Sequence, residues 1–164
     1  MSDREFIIRP VRPEDAEDLR ENCFSANTLA EVQERVAESI QAAEEGTKVL
    51  LVAEVEGTVV GTGAFVRNTH PLYAHRAEVG SLVIHPDYQR RGIARRIVER
   101  IAETAALMGL EILEISVRGG TPAEEVYRRL GFIEWGRLPR GLVEPWGEHK
   151  VYDSVHFYMP IQPK

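Results

Sequence analysis

The residues best suited to chemistry lie in one run, Ser81-Leu82-Val83-Ile84-His85-Pro86-Asp87-Tyr88-Gln89-Arg90-Arg91-Gly92-Ile93-Ala94-Arg95-Arg96. It reads as an apolar strand, a polar loop carrying Gln-x-x-Gly-x-Ala, and the start of a helix. A helix start exposes backbone N–H groups without intrahelical partners and carries the positive end of the helix dipole. A glycine in the turn lets that backbone approach a ligand, so the run is an anion site suited to a phosphate. No Gly-Lys-Ser/Thr follows and the three-glycine dinucleotide pattern is absent, so neither of those phosphate loops applies. Arg90, Arg91, Arg95, Arg96 and Arg100 crowd the loop and its helix, with only Asp87 and Glu99 close by to offset them.

The rest of the composition bounds what the anion can be. The chain has 164 residues, 43% of them apolar, which suits one domain over residues 1–164 with a single core. A net charge of −6 argues against general nucleic-acid binding, whereas a small basic focus on an acidic protein suits a small polyanion. Cys23 is the one cysteine, so no disulfide framework exists, and a buried apolar role is expected for it. The start Met-Ser-Asp-Arg-Glu-Phe lacks an apolar signal core, and no apolar run is long enough to span a bilayer. A soluble, cytoplasmic protein with no membrane partner is expected. No His/Cys/Asp/Glu spacing suggests a metal site.

These residues need a scaffold, and the pattern supplies one. Glu5 to Arg9 reads as a strand, Pro13-Glu14-Asp15 as the first turn of a helix reaching Asn22, and Thr28-Leu29-Ala30-Glu31 as a capping box. The helix after it carries Val32, Val36 and Ile40 on one face and stops before Gly46. Val49–Val55 and Thr58–Val66 form a hairpin across Glu56-Gly57, and Ala77–Ile84 is the strand entering the anion loop. Ile93, Ile97, Ile101 and Ala105 recur at helical spacing up to Gly109. Glu111–Val117 is an apolar strand. Thr121-Pro122-Ala123-Glu124 opens a short helix, with Thr121 as N-cap, that ends at Leu130-Gly131. Phe132–Leu138 and Val151–Met159 close the chain. The fold class is α/β: a mixed sheet of about six to seven strands flanked by about four helices.

Together these residues resemble the GNAT superfamily of acyl-CoA-dependent N-acyltransferases. The resemblance is carried by Gln89-Arg90-Arg91-Gly92-Ile93-Ala94 between strand and helix, and by Tyr127 ahead of Leu130-Gly131-Phe132. It spans the chain from Ile8-Arg9-Pro10 onward. It implies acetyl-CoA as co-substrate, with the backbone from Arg90 to Arg95 holding the pyrophosphate beside Gln89. Leu82, Val83 and Ile84 then lie along the pantetheine arm on a bulged strand, where a backbone N–H can polarise the thioester carbonyl. The five arginines match the coenzyme phosphates. Many members place an Asn seven residues before the Tyr to hold the coenzyme arm; here Gly120 stands there, next to Thr121, and a backbone group or the Thr121 hydroxyl is the expected substitute.

The implied chemistry is direct acetyl transfer to an amine, which must be neutral to attack. Tyr127 matches the acid that protonates the departing thiolate. Glu78 is the expected base, with Glu114 on the next strand as the alternative, and alternation places Glu78, Gly80, Leu82 and Ile84 on one side of an unbulged strand. An exposed Glu is a weak base for an alkylammonium, so shielding or a water relay is required. His85, before the Pro of the loop, is read as structural.

The acceptor site is expected between the first two helices, the loop before the fourth strand and the loop between the last two strands. Acids on the first two helices offer a lip for a cation, and Trp146, Tyr152, Asp153 and Glu144 offer walls and counter-charge. A weaker likeness, through His75-Arg76-Ala77-Glu78-Val79 and Gly136-Arg137-Leu138-Pro139, is to tabtoxin-resistance-type enzymes acting on small amino compounds, although Ser116 stands where those members commonly carry an Asp. A small-molecule amine or amino acid is the expected acceptor. A peptide or protein amine, or acyl-CoA sensing without turnover, are the alternatives, and a homodimer is in keeping with the resemblance.

Overall fold

Alternating apolar residues close into hairpins wherever the turn residues permit positive φ. Glu56 (48°) and Gly57 (85°) occupy the left-handed region and join β2 (Lys48–Val55) to β3 (Thr58–Arg67). The computed structural model describes residues 6–162, in which β1 (Ile7–Pro10) precedes this hairpin and β4 (Arg76–Ile84), β5 (Ile112–Arg118), β6 (Ile133–Val143) and β7 (Val151–Pro160) follow it. Glu5, expected to begin the first strand, lies outside the described residues. The helices are α1 (Ala16–Asn22), entered through a 3-10 turn at Pro13–Asp15, α2 (Leu29–Glu44), α3 (Ile93–Leu107) and α4 (Ala123–Arg129). The seven strands form one sheet in the order β1-β2-β3-β4-β5-β7-β6, antiparallel except for the β4–β5 pair.

Each face of the sheet has its own core. On one face Ile93, Ile97, Ile101 and Ala105 of α3 pack with Leu51, Phe65, Val79, Leu113 and Phe157; on the other, Leu19, Val32 and Val36 cover Leu50, Val52 and Ala64. The four-residue spacing read in α3 is therefore its buried stripe. The Thr28–Glu31 capping box forms in both directions and fixes the start of α2.

Two expectations change. β6 runs on to Val143, past Pro139-Arg140-Gly141, by a shift of register between Leu138 and Leu142. Arg140 there has φ 56°, its N–H donates to Asp153 Oδ1 at 3.0 Å, and a Cβ on Gly141 would sit 2.7 Å from that of Ser154. The Pro and Gly that read as loop thus make a bulge within a strand. The N-cap of α4 is Pro122, not Thr121, whose hydroxyl donates instead to the Arg118 carbonyl at 2.7 Å.

Candidate active site

The site arises where the sheet comes apart. β4 and β5 are registered over Arg76↔Ile112, Ala77↔Leu113 and Glu78↔Glu114 only. Beyond Glu78, Ser81 takes φ 53° and the β3–β4 register shifts between Thr62 and Ala64, so β4 bulges and turns away from β5. The bulge reverses the phase of the strand. Ala77 and Val79 belong to the α3 core, and Leu82 and Ile84 pack against that same core, while Val83 packs against the α1–α2 core. Glu78 is therefore on the face opposite Leu82 and Ile84, which corrects the simple alternation.

Two clefts open along the split. The first, about 770 Å3, runs between the start of α3 and α4 and is lined by Leu82, Ile84, Gln89, Arg90, Gly92 to Arg95, Ala123, Val126 and Tyr127. Arg90 (φ 62°) and Gly92 (φ 84°) are both left-handed, and the first helical bond is Arg96 N–H to Gly92 carbonyl, leaving the N–H groups of Ile93, Ala94 and Arg95 without helical partners. The Gln89 amide donates to the Ile84 carbonyl at 3.1 Å, pinning the loop to the strand.

The arginines divide. Arg90 and Arg95 line this cleft, and Arg95 reaches across to the Arg129 carbonyl at 2.7 Å. Arg91 lies outside the lining, donating to the Asp87 carbonyl with its guanidinium over the Tyr88 ring. Arg96 pairs with Glu99 and Glu103, and with Arg100 faces a separate groove beside Phe6, Ile7 and Ile8. His85 accepts from the Asp87 N–H at 3.2 Å and is structural as read.

The second cleft, about 810 Å3, is lined by Glu78 to Val83 of β4, Ile115 to Arg118 of β5, Thr121, Ala123, Tyr127, the run Leu142 to Trp146, and Tyr152. Leu82, Ala123 and Tyr127 line both clefts, so the two spaces meet there. Tyr127 is half-buried and edge-on to Phe132, with centroids 5.7 Å apart; burial raises its pKa, and its hydroxyl has no hydrogen-bond partner among the described residues. Glu78 is exposed and has no ion-pair partner among the described residues. Glu114 is held by Arg76 through two hydrogen bonds, of 2.7 and 2.5 Å.

Other expected residues have different duties. Gly120 lines neither cleft and donates its N–H to Glu124 Oε2, while Thr121 lines the second. No residue of α1 or α2 lines either cleft; Asp15 binds Arg9, Asp18 accepts the Val59 N–H, and Glu31 completes the capping box. The loop between β3 and β4 is likewise absent from the lining, and Asp153 is taken by the Arg140 N–H. Glu144, Trp146 and Tyr152 do wall the second cleft. Two further polar residues join it: Arg118, not singled out from sequence, 3.4 Å from Glu144, and Ser116, noted there only as standing in place of an Asp, whose hydroxyl meets His156 at 2.9 Å. Both lie on the face of β5 that carries Glu114, a signal alternation does contain; the β5–β7 register that brings in His156 is not readable locally. Cys23 is inert: burial pushes its thiol up to about 12. Among the described residues no group of His, Cys, Asp or Glu could hold a metal, and no helix is long and apolar enough to cross a membrane.

Proteins of known structure share this fold. The RimL ribosomal L7/L12 alpha-N-protein acetyltransferase, solved with coenzyme A, superposes with a TM-score of 0.82 at 15% identity, covering 98% of this chain and 97% of that one. YncA of Salmonella typhimurium, described as a putative acetyltransferase and solved with acetyl-CoA, gives 0.79 at 18% identity, covering 96% and 95%. These likenesses show the fold. In sequence, an IAA acetyltransferase of Azospirillum brasilense is 36% identical over 99 residues, 59% of each chain, and the L-amino acid N-acyltransferase MnaT of Escherichia coli is 26% identical over 93 residues, 56% of this chain and 54% of that one. The matches thus span little more than half the length of these curated relatives. The model of the Acetyltransferase (GNAT) family matches residues 14–132, well over half of the sequence. This chain belongs to the GNAT acetyltransferase family.

Proposed function

We propose that this protein is an acetyl-CoA-dependent N-acetyltransferase that moves the acetyl group directly onto the primary amine of a small molecule, an amino acid being the favoured class. The observation that carries the reading is the meeting of two clefts at Leu82, Ala123 and Tyr127, one bearing the anion loop and the other acidic residues and a guanidinium. Direct transfer requires this arrangement, with thioester and amine approaching from opposite sides.

Acetyl-CoA fits the first cleft. The N–H groups after Gly92, with Arg90 and Arg95, suit its pyrophosphate, and the unpaired side of β4 from Leu82 to Ile84 suits its extended arm. Backbone at the bulge can donate to the thioester oxygen as it gains charge. Tyr127, its proton retained by burial, faces the junction as the acid for the departing sulfur. In the second cleft Glu78 meets the incoming ammonium as a counter-charge, an exposed carboxylate being too weak a base to take its proton alone.

The size of the second cleft and its wall of Leu142 to Trp146 favour a small acceptor over a peptide. Arg118 is the one cation among its lining residues, 3.4 Å from Glu144 and over the Tyr152 ring. A guanidinium and the Glu78 carboxylate, unpaired among the described residues, in one cleft suit an acceptor with both an ammonium and a carboxylate, whose carboxylate would compete with Glu144 for Arg118, in line with the amino-acid N-acyltransferase among the relatives. The reading places the enzyme in the cytoplasm, with no nucleic-acid partner. Release of free thiol from acetyl-CoA, measured across amines, amino acids and peptides, tests it. Turnover with amino acids is expected; turnover with peptides alone, or coenzyme binding without any turnover, overturns it in favour of a peptide acetyltransferase or a sensor.

A further inference from the structure

A polar chain leads out of the acceptor cleft that the proposed reaction does not use. Ser116 lines the cleft on β5, two residues past the last registered pair and across the split from Gly80. In the antiparallel β5–β7 pairing it stands directly opposite His156, and its hydroxyl lies 2.9 Å from Nδ1. The other ring nitrogen, Nε2, lies 3.2 Å from the hydroxyl of Ser154, which is 5% exposed. The Trp135 indole covers the imidazole, with centroids 5.3 Å apart and planes inclined by 42°. A histidine bonded at both nitrogens and covered by an indole has a fixed ring orientation, and among the described residues its hydrogen-bonded link to the cleft is the Ser116 hydroxyl.

We propose that Ser116 and His156 form a proton relay that deprotonates the acceptor amine, a proposal resting on the N-acetyltransferase reading above. His156 carries its proton on Nε2, donated to Ser154, so Nδ1 accepts from Ser116 and the Ser116 lone pairs face the cleft. As the ammonium arrives, Ser116 Oγ takes one N–H proton while its own passes to Nδ1, leaving a neutral amine and an imidazolium. The amine nitrogen bonds to the thioester carbon, and the C–S bond then breaks. Tyr127 gives its proton to the sulfur and is restored by the second proton of the nitrogen. The products are the amide and the free thiol, and the proton on His156 leaves to solvent, so one proton is released per turnover. Ser116 is the catalytic residue that touches substrate; His156 acts through it, and Ser154 and Trp135 position the ring.

Energetics favour this route over an exposed carboxylate. The ordinary pKa values of alkylammonium and carboxylate groups differ by about six units, and an imidazole closes about two of them, a hundredfold easier transfer. The charged and titratable groups on the surrounding faces are Glu114, already held by Arg76, with Arg118 and Tyr158 on the paired strands. β6 presents Gly136 and Trp135 to the ring, neither of which titrates.

The test compares wild type with Ser116→Ala, His156→Gln and the double variant by thiol release from about pH 6 to pH 10. Each single variant is expected to lose about a hundredfold in kcat near neutrality with an unchanged acetyl-CoA KM. The double variant should lose no more than either, since the two act as one unit. The variants should regain rate as the pH nears the ordinary pKa of the amine, where no base is needed. Losses that multiply, that persist at high pH, or that fail to appear overturn the relay. Ser116 is exposed, so its truncation leaves the fold intact and keeps the test valid if His156→Gln does not fold. Independently of turnover, the ring 15N shifts of His156 should show the Nε2–H tautomer; an Nδ1–H tautomer overturns the relay even if acetylation proceeds, and an inactive wild type with the Nε2–H tautomer sinks only the enzymatic reading.

Discussion

Glu78 and Glu114 face each other as the last registered pair of β4 and β5, and Arg76 holds Glu114 alone. The two acids therefore separate by role. Glu114→Gln is expected to lower stability by about 1 kcal/mol, since the ion pair is partly solvated, and to leave the pH–rate profile in place. Glu78→Gln should leave stability unchanged and raise the acceptor KM about tenfold, the worth of one counter-charge to an ammonium. Urea melts and acceptor titrations check both, and undiminished activity of Glu78→Gln at neutral pH removes Glu78 from the site.

Tyr127→Phe removes a hydroxyl that has no partner among the described residues, so the fold should not register the change. Loss of a general acid should lower kcat about a hundredfold while the acetyl-CoA KM stays put. Burial raises the pKa of this tyrosine, so its proton is retained through neutral pH and is lost only as pH rises through a value above the ordinary figure of about 10. The alkaline limb of kcat in wild type should fall there and be missing in the variant. A kcat within about twofold of wild type would leave the acid role without support.

Gly92, at φ 84°, has open space where a Cβ would project, so a substitution meets conformational strain and not a clash. Gly92→Ala and Gly92→Asp should each cost the fold about 1 kcal/mol. Only the aspartate adds a negative charge beside the first-turn N–H groups, and its acetyl-CoA Kd should exceed that of the alanine variant by at least about tenfold. Equal affinities by calorimetry would place the pyrophosphate elsewhere.

Asp15 is buried against Arg9, which reaches both its carboxylate oxygens at 2.8 Å. Burial alone would raise its pKa, and the bonds from Arg9 and the Arg12 N–H outweigh that and lower it. A depressed folded-state pKa contributes stability above the ordinary carboxylate value of about 4, and that stability is lost as pH falls through the depressed value. Asp15→Asn should cost about 3 kcal/mol near neutrality and flatten the acid side of the stability curve, read by urea unfolding across pH.

The parts legible in the sequence were those fixed by neighbours along the chain. The Thr28 capping box, the Glu56-Gly57 turn, the apolar stripe of α3 and the glycine loop each depend on residues within a few positions, and the structure places them as expected. The departures come from contacts across strands. The bulge in β4 is implied by the resemblance, but its place at Ser81, a non-glycine residue at φ 53°, is marked by nothing in the local context. The extension of β6 past Pro139 depends on a carboxylate from β7, and the diversion of the α1 and α2 acids depends on Arg9 and on Val59. His156 becomes part of the site only once β7 pairs with β5, and local periodicity carries no information about which strands pair.

The early divergence of β4 and β5 gives this sheet an edge in its interior. An outer edge strand invites another strand to add itself, with aggregation as the hazard. This inner one is flanked by α4 and by Leu142 to Trp146, so its unsatisfied backbone admits something as slender as a single extended arm and bars a partner strand. A ligand lying there also adds ties between the two halves of the sheet, and its binding energy adds directly to the stability of the fold. On the proposed reading, the co-substrate is what stitches this seam.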